Sequence, residues 1–537
     1  MTRRYIGDSN VLETTFTTDT GVARLVDVMP VDTEEAKARE LWPEHEVLRR
    51  VECLAGEVEL EVLFEPRFDY GCTVPRIARH GTGLFHCEHA ASALALSTDL
   101  PLNADASGRV TGTERLTAGT RRYLSMSFAQ GMPAVLAPLG THADRRIDRS
   151  VKWWNDWTSA CRYRGPHRDS VVRSALVLKL LSYSPSGAII AAPTTSLPES
   201  IGGIRNWDYR YCWLRDASLT LRALCDLGFD VEAEAFLSWL LHATRRTWPD
   251  IRMLYGVYGE SWLPERELTH LSGYANSRPV RVGNLAAGQL QLDTYGELVE
   301  SAFDWVSRGG MLDRMSAANL EELGHAVCAR WRMPDDGIWE RRGGRRQHTH
   351  SKVMCWVALD RLLKLHESKQ VRIPVEQFRR ERDAIRSDIE RRGYNESIGS
   401  YVSVLDGDQV DASLLVLALH GYADANEPRM RSTCDRIDER LGVNGLLLRY
   451  REDDGLPPGE GAFGICGFWA VECRALQGEQ ARAVSQFERL LKLGNDVGLF
   501  AEQADPITNA ALGNFPQGLT HIGLINAALT MQELIPH

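Results

Sequence analysis

No cysteine in this chain stands in a C-x-x-C pair, and the eleven cysteines, an odd number, are scattered from Cys53 to Cys473. That scatter argues against a zinc ribbon, a thioredoxin-type motif or a secreted disulfide framework, and it points to the reducing cytoplasm. Long apolar runs are missing too. The amino terminus, MTRRYIGDSNVLETTF, has two arginines with no apolar stretch behind them, and no later run approaches the roughly 20 apolar residues that a bilayer crossing needs. We expect a soluble, unexported chain with no membrane partner. Positive charge is also short: 62 Lys and Arg against 72 Asp and Glu leave a net −10, which repels nucleic-acid phosphates and anionic lipid. No nucleic-acid partner is expected. PPGEGAFG lacks the lysine of a phosphate-binding G-x-x-x-x-G-K-[ST] loop, no G-x-G-x-x-G opens a helix after a strand, and no G-x-S-x-G elbow is present. Nucleotide binding has no support.

What is present is an ordinary globular composition, 44% hydrophobic and 25% charged over 537 residues, room for two to four domains at roughly 150 residues each. Residues 1–145 read as a β-sandwich. EVELEVLFEPRFDYG alternates apolar and polar positions, and GRVTGTERL and RRYLSMSFAQG carry the Thr, Tyr, Val and Phe of strands. The period changes near residue 150, where RSVKWWNDWTSACRY forms a helical linker over 146–165. From 166 to 537 apolar residues recur at three- and four-residue spacing, as in DSVVRSALVLKLLSY, KVMCWVALDRLLKLHE and LTHIGLINAALTMQEL. About twelve helices result, separated by long polar loops rich in Gly, Pro, Trp and Tyr. Antiparallel helices of this number can close as a double ring with the loops at one end; an open solenoid would show a fixed repeat period, and none is seen.

Three loops carry candidate chemistry. GGIRNWDYRYCWLRDAS packs Trp207, Asp208, Tyr209, Arg210, Tyr211, Trp213, Arg215 and Asp216 together. Aromatic faces beside fixed Arg and Asp groups suit a sugar, whose ring offers apolar C–H faces and a rim of hydroxyls; the plainer reading is a helix N-terminus with a structural ion pair. In PDDGIWERRGGRRQHTHSKVMCW, Glu340 follows Trp339 just ahead of a helix. A carboxyl against an indole can have its pKa raised by desolvation, as a general acid requires, although a single Glu is more often solvated. In GLFAEQADPITNAALGNFPQGLTHIGLINAA, Glu502 precedes the last helix near Phe500, Phe515 and Pro516. Two loop carboxylates could meet at one barrel mouth, and glycosidic hydrolysis needs such a pair.

Other features take bland readings. FHCEH places His86 and His89 on a strand where alternate residues face opposite ways, so no metal is expected. His348 and His350 either line a pocket or cap the following helix. ERRGGRR, Arg341 to Arg346, reads as a solvated basic loop.

The polar-aromatic segment, the PDDGIWE-RRGG-THSKVMCWVALDR run and FAEQADP-LGNFPQ-THIGLINAA resemble the bacterial branch of glycoside hydrolase family 15, which holds glucoamylases, glucodextranases and some trehalases. The resemblance runs from about Tyr5 to the carboxyl end and includes YANSRPVRVGNLAAGQLQLDTYGE. It implies a β-supersandwich followed by an (α/α)6 barrel, and exo-acting, inverting release of glucose from α-glucosides without cofactor or metal. By motif, Glu340 resembles the general acid and Glu502 the general base, while Tyr209, Trp213, Arg215 and Asp216, with Trp339 and Arg449, correspond to the sugar-gripping positions. Typical relatives carry a further stretch ahead of this start, so a shortened sandwich is expected, and they often show two adjacent acids where this chain has Glu502 and Gln503.

Two other functions compete: a non-catalytic glucan-binding or scaffold protein on the same fold, and a metal-dependent enzyme on a similar helical barrel. Trehalose, maltose-type and isomaltose-type substrates present the same terminal unit, and the cytoplasmic reading tilts the choice toward trehalose. Assembly of the chain with copies of itself is left open.

Overall fold

The computed structural model describes residues 1–40, 42–43, 45–131, 135–341, 343–457 and 459–534. It divides into two compact units, Met1–Ala160 and Cys161–His537.

The first unit is an antiparallel ten-stranded sheet system: β1 (Thr2–Tyr5), β2 (Leu12–Thr17), β3 (Gly21–Val28), β4 (Glu46–Phe64), β5 (Ala78–His80), β6 (Leu84–His89), β7 (Ser92–Thr98), β8 (Asn103–Ala104), β9 (Val110–Thr117) and β10 (Arg121–Gln130). The main path runs β1-β2-β3-β4-β10-β7-β6-β5, and β8 and β9 attach through β4. The key element is β4, whose 19 residues serve two layers. Glu46 to Glu52 pair with β10, whereas Glu57 to Phe64 pair with β9. The alternation of EVELEVLF then turns Leu60, Val62 and Phe64 toward Phe85, Leu96 and Val110, as facing layers of a sandwich require. On β6, Cys87 is buried, while His86 sits on the other face, 3.3 Å from Glu88.

Two helices complete this unit, α1 (Glu34–Lys37) and α2 (Thr141–Ser159). Polar pairs fasten α2 to β4 and β10. Arg146 Nη2 donates to Glu46 Oε1 at 2.9 Å, and Asp144 accepts from Arg50 at 2.7 Å and from the Tyr123 hydroxyl at 2.9 Å.

The second unit holds twelve helices among its described residues: α3 (Arg168–Leu181), α4 (Ala217–Leu227), α5 (Asp230–Arg245), α6 (Asp293–Ser307), α7 (Arg314–Arg330), α8 (Thr349–Glu367), α9 (Val375–Arg392), α10 (Val416–Leu419), α11 (Pro428–Leu441), α12 (Gly464–Leu476), α13 (Gln480–Leu491) and α14 (Gly518–Leu534). A 3-10 turn at Ala412–Leu415 leads into α10. Two sequence patterns sort the helices into two rings. In α8 every residue from Thr349 to Leu363 is buried, and in α14 every residue from Gly518 to Met531. In α9 and α13 burial is confined to one stripe, Phe378, Ile385 and Ile389, or Ala483, Phe487 and Leu490. A helix apolar all round must be enclosed, whereas a striped one covers a core from outside. The even-numbered helices accordingly close a ring in which α4 packs on α6, α6 on α8, α8 on α10, α10 on α12, α12 on α14 and α14 on α4. The odd-numbered helices wrap it, as an (α/α)6 barrel does. Close approach inside the ring depends on small residues: a Cβ at Gly296 of α6 would stand 2.4 Å from the Met354 carbonyl of α8.

Candidate active site

A cavity of about 350 Å³ opens at one end of the barrel. Its lining comes from the chain before α4 (Glu199, Arg205, Trp207, Tyr209, Arg215), before α6 (Asn284 to Gln289), before α8 (Asp336 to Glu340) and before α12 (Arg449, Tyr450, Asp454). Each stretch leads into an inner helix. Alternating outer and inner helices therefore bring loops distant in sequence to the N-terminal ends of the inner ring.

Glu340 adopts a left-handed backbone conformation, φ 55°, which costs a non-glycine residue of order 1 kcal/mol or more and persists where neighbours hold it. Both flanking side chains are anchored. Trp339 Nε1 donates to Asp411 Oδ2 at 3.0 Å, and Arg341 Nη1 donates to Glu452 at 2.5 Å with its guanidinium 4.7 Å from the Tyr450 ring centroid. The carboxylate points into the cavity and accepts at Oε1 from Trp213 Nε1, 2.9 Å, and Arg215 Nη1, 3.2 Å. Arg215 Nη1 also donates to the Ile338 carbonyl at 2.7 Å, and its Nε lies 3.4 Å from Asp216 Oδ1. Burial opposes the Arg215 charge, but Asp216, Glu340 and Asp293 outweigh it and raise its pKa. Burial pushes the Asp216 carboxyl up, against the pull of Arg215.

Glu502 is 1% exposed and accepts the Tyr209 hydroxyl at Oε1, 2.6 Å. Burial first, and then the neighbouring Glu199, push its carboxyl up to about 8, against Tyr209 and Arg449. The Tyr209 and Trp213 rings meet edge to face at 5.2 Å. One aromatic pair thus joins the two carboxylates: Trp213 holds Glu340 and Tyr209 holds Glu502. Burial raises the Tyr209 hydroxyl, followed by the charges of Glu502, Glu199 and Glu340, which places three carboxylates around one phenol.

Of the residues expected from sequence, Tyr209, Arg215, Trp339, Glu340 and Arg449 line the cavity. Trp213, Asp216 and Glu502 stand directly behind them through the contacts above. The indole that meets Glu340 belongs to Trp213, not to its neighbour Trp339, whose ring packs instead on Phe463 and Trp469 at 5.9 and 6.3 Å. His348 and His350 are buried and outside the cavity lining, and the His348 side chain makes no capping bond to α8. Burial lowers their imidazoles to about 4 and about 3, keeping both neutral. The basic loop is not uniformly solvated, since Arg341 is 5% exposed; Arg342 lies outside the described residues. Sequence reasoning passed over the polar partners gathered around Arg449, namely Glu199, Arg205, Asp454 and Glu460. Arg205 clasps Asp454 through two bonds of 2.8 and 2.9 Å, and Arg449 Nη2 donates to Glu199 at 2.9 Å and to Glu460 at 2.5 Å. Arg205 was visible within the polar-aromatic segment, but its partner lies 249 positions away.

Carboxylates, guanidinium groups and indoles around one cavity on this barrel define a glycoside hydrolase. The model of glycosyl hydrolases family 15 matches residues 165–529. The chain is 38% identical to a trehalase of Mycolicibacterium smegmatis over 98% of its own length and 82% of that protein's. It is 34% identical to a trehalase of Thermoplasma volcanium over 98% and 83%. In structure it is similar to a bacterial glucoamylase crystallised with acarbose, at TM-score 0.74 and 12% identity over 99% of this chain and 85% of that one. The chain belongs to glycoside hydrolase family 15.

Proposed function

We propose that this protein hydrolyses trehalose, or a closely related α-glucoside, with inversion at the anomeric carbon. The observation that carries the reading is the coupling of Glu340 and Glu502 through Trp213 and Tyr209, with Arg215 and Arg449 facing the same cavity. Glu340 protonates the glycosidic oxygen as its bond to the anomeric carbon breaks, while ionised Glu502 takes a proton from the water whose oxygen bonds to that carbon. Tyr209, Arg215, Trp339 and Arg449 grip the terminal glucosyl unit, with Trp213 and Asp216 backing them. The choice of trehalose is supported by the named relatives and by a cavity at the small end of the usual range for ligand sites. All eleven cysteines are free thiols and no described helix is long and apolar enough to cross a membrane, and we place the enzyme in the cytoplasm.

A proton NMR time course with trehalose, maltotetraose and isomaltotriose in separate tubes tests this. Inversion of trehalose releases one β-glucose from the attacked unit and one α-glucose from the leaving unit, so equal anomers at early time are expected; a retaining enzyme gives α-glucose alone. A faster rate on maltotetraose would reassign the substrate. Sugar binding with no turnover in any tube would replace the reading with a glucan-binding protein.

A further inference from the structure

One carboxylate of the cavity wall, Glu199, has no task in the proposed reaction. Glu199 is 1% exposed and lines the cavity. Its Oε1 accepts from Trp207 Nε1 at 2.8 Å and its Oε2 from Arg449 Nη2 at 2.9 Å. The backbone brings it to Glu502. The Gly513 amide donates at 2.8 Å to the carbonyl of Pro198, the residue before Glu199. Gly513 itself, φ +74°, lies so close to Glu502 that a Cβ there would stand 2.3 Å from Oε2. That oxygen is buried without a hydrogen-bond partner among the described residues. Gln503, next in the chain, lies beside Glu199 and accepts the Gly461 amide through Oε1 at 2.7 Å, while its side-chain nitrogen is buried without a hydrogen-bond partner among the described residues.

We propose that Glu199 is a positioning residue of the reaction, whose carboxylate, held by Trp207 and Arg449, sets the proton affinity of Glu502. The proposal rests on Glu502 being the base. Two carboxylates in a dry pocket resist ionising together, and the better-solvated member takes the charge. Glu199 has two donors, one of them cationic, whereas Glu502 has the Tyr209 hydroxyl and one bare oxygen. Burial and Glu460 push the Glu199 carboxyl up as well, against Arg449 and Arg205, but its two donors favour its charge over that of Glu502, which holds its proton to higher pH, in keeping with the rise of the Glu502 carboxyl to about 8 that burial and Glu199 produce. The other groups facing the pair are Arg205 from the chain before α4, and Arg449, Asp454 and Glu460 from the chain before α12. Tyr209 and Glu340 lie on the cavity side, with the Cys466 thiol of α12 and His521 of α14 behind. Burial keeps His521 neutral, at about 3. A charge placed at Gln503 would press on the same pair.

The test is the pH profile of kcat/KM on α-glucosyl fluoride, whose leaving group needs no proton from Glu340, so that the acid limb reports the base. Glu199→Gln removes the opposing charge and is expected to move that limb down by about one pH unit, a tenfold change in apparent proton affinity. Gln503→Glu adds a charge and is expected to move it up by a similar amount. A limb that stays in place in whichever of these variants folds, with rate lost equally at every pH, overturns the proposal and leaves Glu199 a structural partner of Arg449. Failure of the underlying reading looks different: a wild-type protein inert toward trehalose and the fluoride, or full activity in Glu502→Gln, removes the base assignment itself.

Discussion

The carboxylates that fasten α2 to the sheet and several of those at and beneath the barrel cavity meet burial in opposite ways. In the sheet unit the carboxylates that face α2 are met by cationic donors. Glu46 receives Arg146 and Ser125, and Asp144 receives Arg50, Arg121 and Tyr123. Burial works against the Asp144 charge, yet Arg50 and Tyr123 outweigh it and hold its carboxyl below the ordinary range. Around and beneath the barrel cavity burial works against the Asp454 charge in the same manner, and Arg205 and Tyr450 hold its carboxyl below the ordinary range, but burial outweighs the donors of three other carboxyls. Burial and Asp335 push Asp293 up to about 7, burial pushes Asp335 up to about 6, and burial with Glu199 takes Glu502 to about 8. Cationic pairing fastens a helix to a sheet; carboxyls whose burial outweighs their donors are able to exchange protons near neutral pH, where an acid and a base are needed.

The sharpest way to break the comparison is to neutralise the cavity carboxylates. Glu340→Gln and Glu502→Gln are each expected to lower kcat by about 10²–10⁴-fold, with thermal melting close to wild type, since glutamine keeps the shape of each side chain and an oxygen to accept from Trp213 or Tyr209. Wild-type turnover in either variant would show that crowding there serves no chemistry.

The next effect falls on stability in the other unit. Arg146 is 4% exposed, and its removal leaves Glu46 buried beside one hydroxyl. Arg146→Met should destabilise the sheet unit by about 3–5 kcal/mol in denaturant titrations, and combining it with Glu46→Gln should restore much of the loss. A loss below about 1 kcal/mol would mean that the pair is solvated after all.

pH separates the units further. The raised carboxyls of Asp293, Asp335 and Glu502 mean that the folded barrel binds more protons than the unfolded chain from about pH 4 to 8. Their contribution is complete at low pH and is lost as pH rises through those values. His348, His350 and His521, lowered to about 4, 3 and 3, act the other way: unfolding lets them take protons below about 6.5, so stability falls with pH there. Between pH 6.5 and 8 the carboxyls act unopposed by these histidines, and the melting temperature of the barrel should decline. Asp293→Asn should flatten that decline. In the sheet unit the depressed carboxyl of Asp144 predicts loss of stability on the acid side, below about pH 4. Melting curves across pH with separate probes of each unit check both signs.

Much of this was legible in the residues. The all-round apolarity of KVMCWVALDRLLKL and LTHIGLINAALTM against the single stripe of VEQFRRERDAIRSDIERR already separates inner from outer helices. The aromatic and charged density of RNWDYRYCWLRD marks a site because no core tolerates it. Contacts across loops were not legible. Nothing local joins Arg205 to Asp454 or Glu199 to Glu502, since the barrel ring alone makes them neighbours. In a single sequence Glu199, in SLPES, looks like a solvated glutamate. The indole expected beside Glu340 was sought one residue away, but adjacent side chains diverge on a left-handed turn, and the true partner comes from 127 positions earlier.

That divergence gives Trp339 a different task, with the smallest expected effect. Its Nε1 donates to Asp411 Oδ2 at 3.0 Å, and Asp411 also accepts the Ser413 hydroxyl and amide at 2.6 and 3.1 Å. Trp339→Phe keeps most of the ring contact with Phe463 and Trp469 but leaves Asp411 short of one donor, a loss of about 1–3 kcal/mol for a buried acceptor. If the bond also holds the left-handed turn at Glu340, kcat should fall by about tenfold or less with KM little changed. The acid limb on α-glucosyl fluoride should stay in place, because Glu502 and its neighbours are untouched. A shift of that limb would show that the two carboxylates communicate through the Trp339 loop as well as through Trp213 and Tyr209.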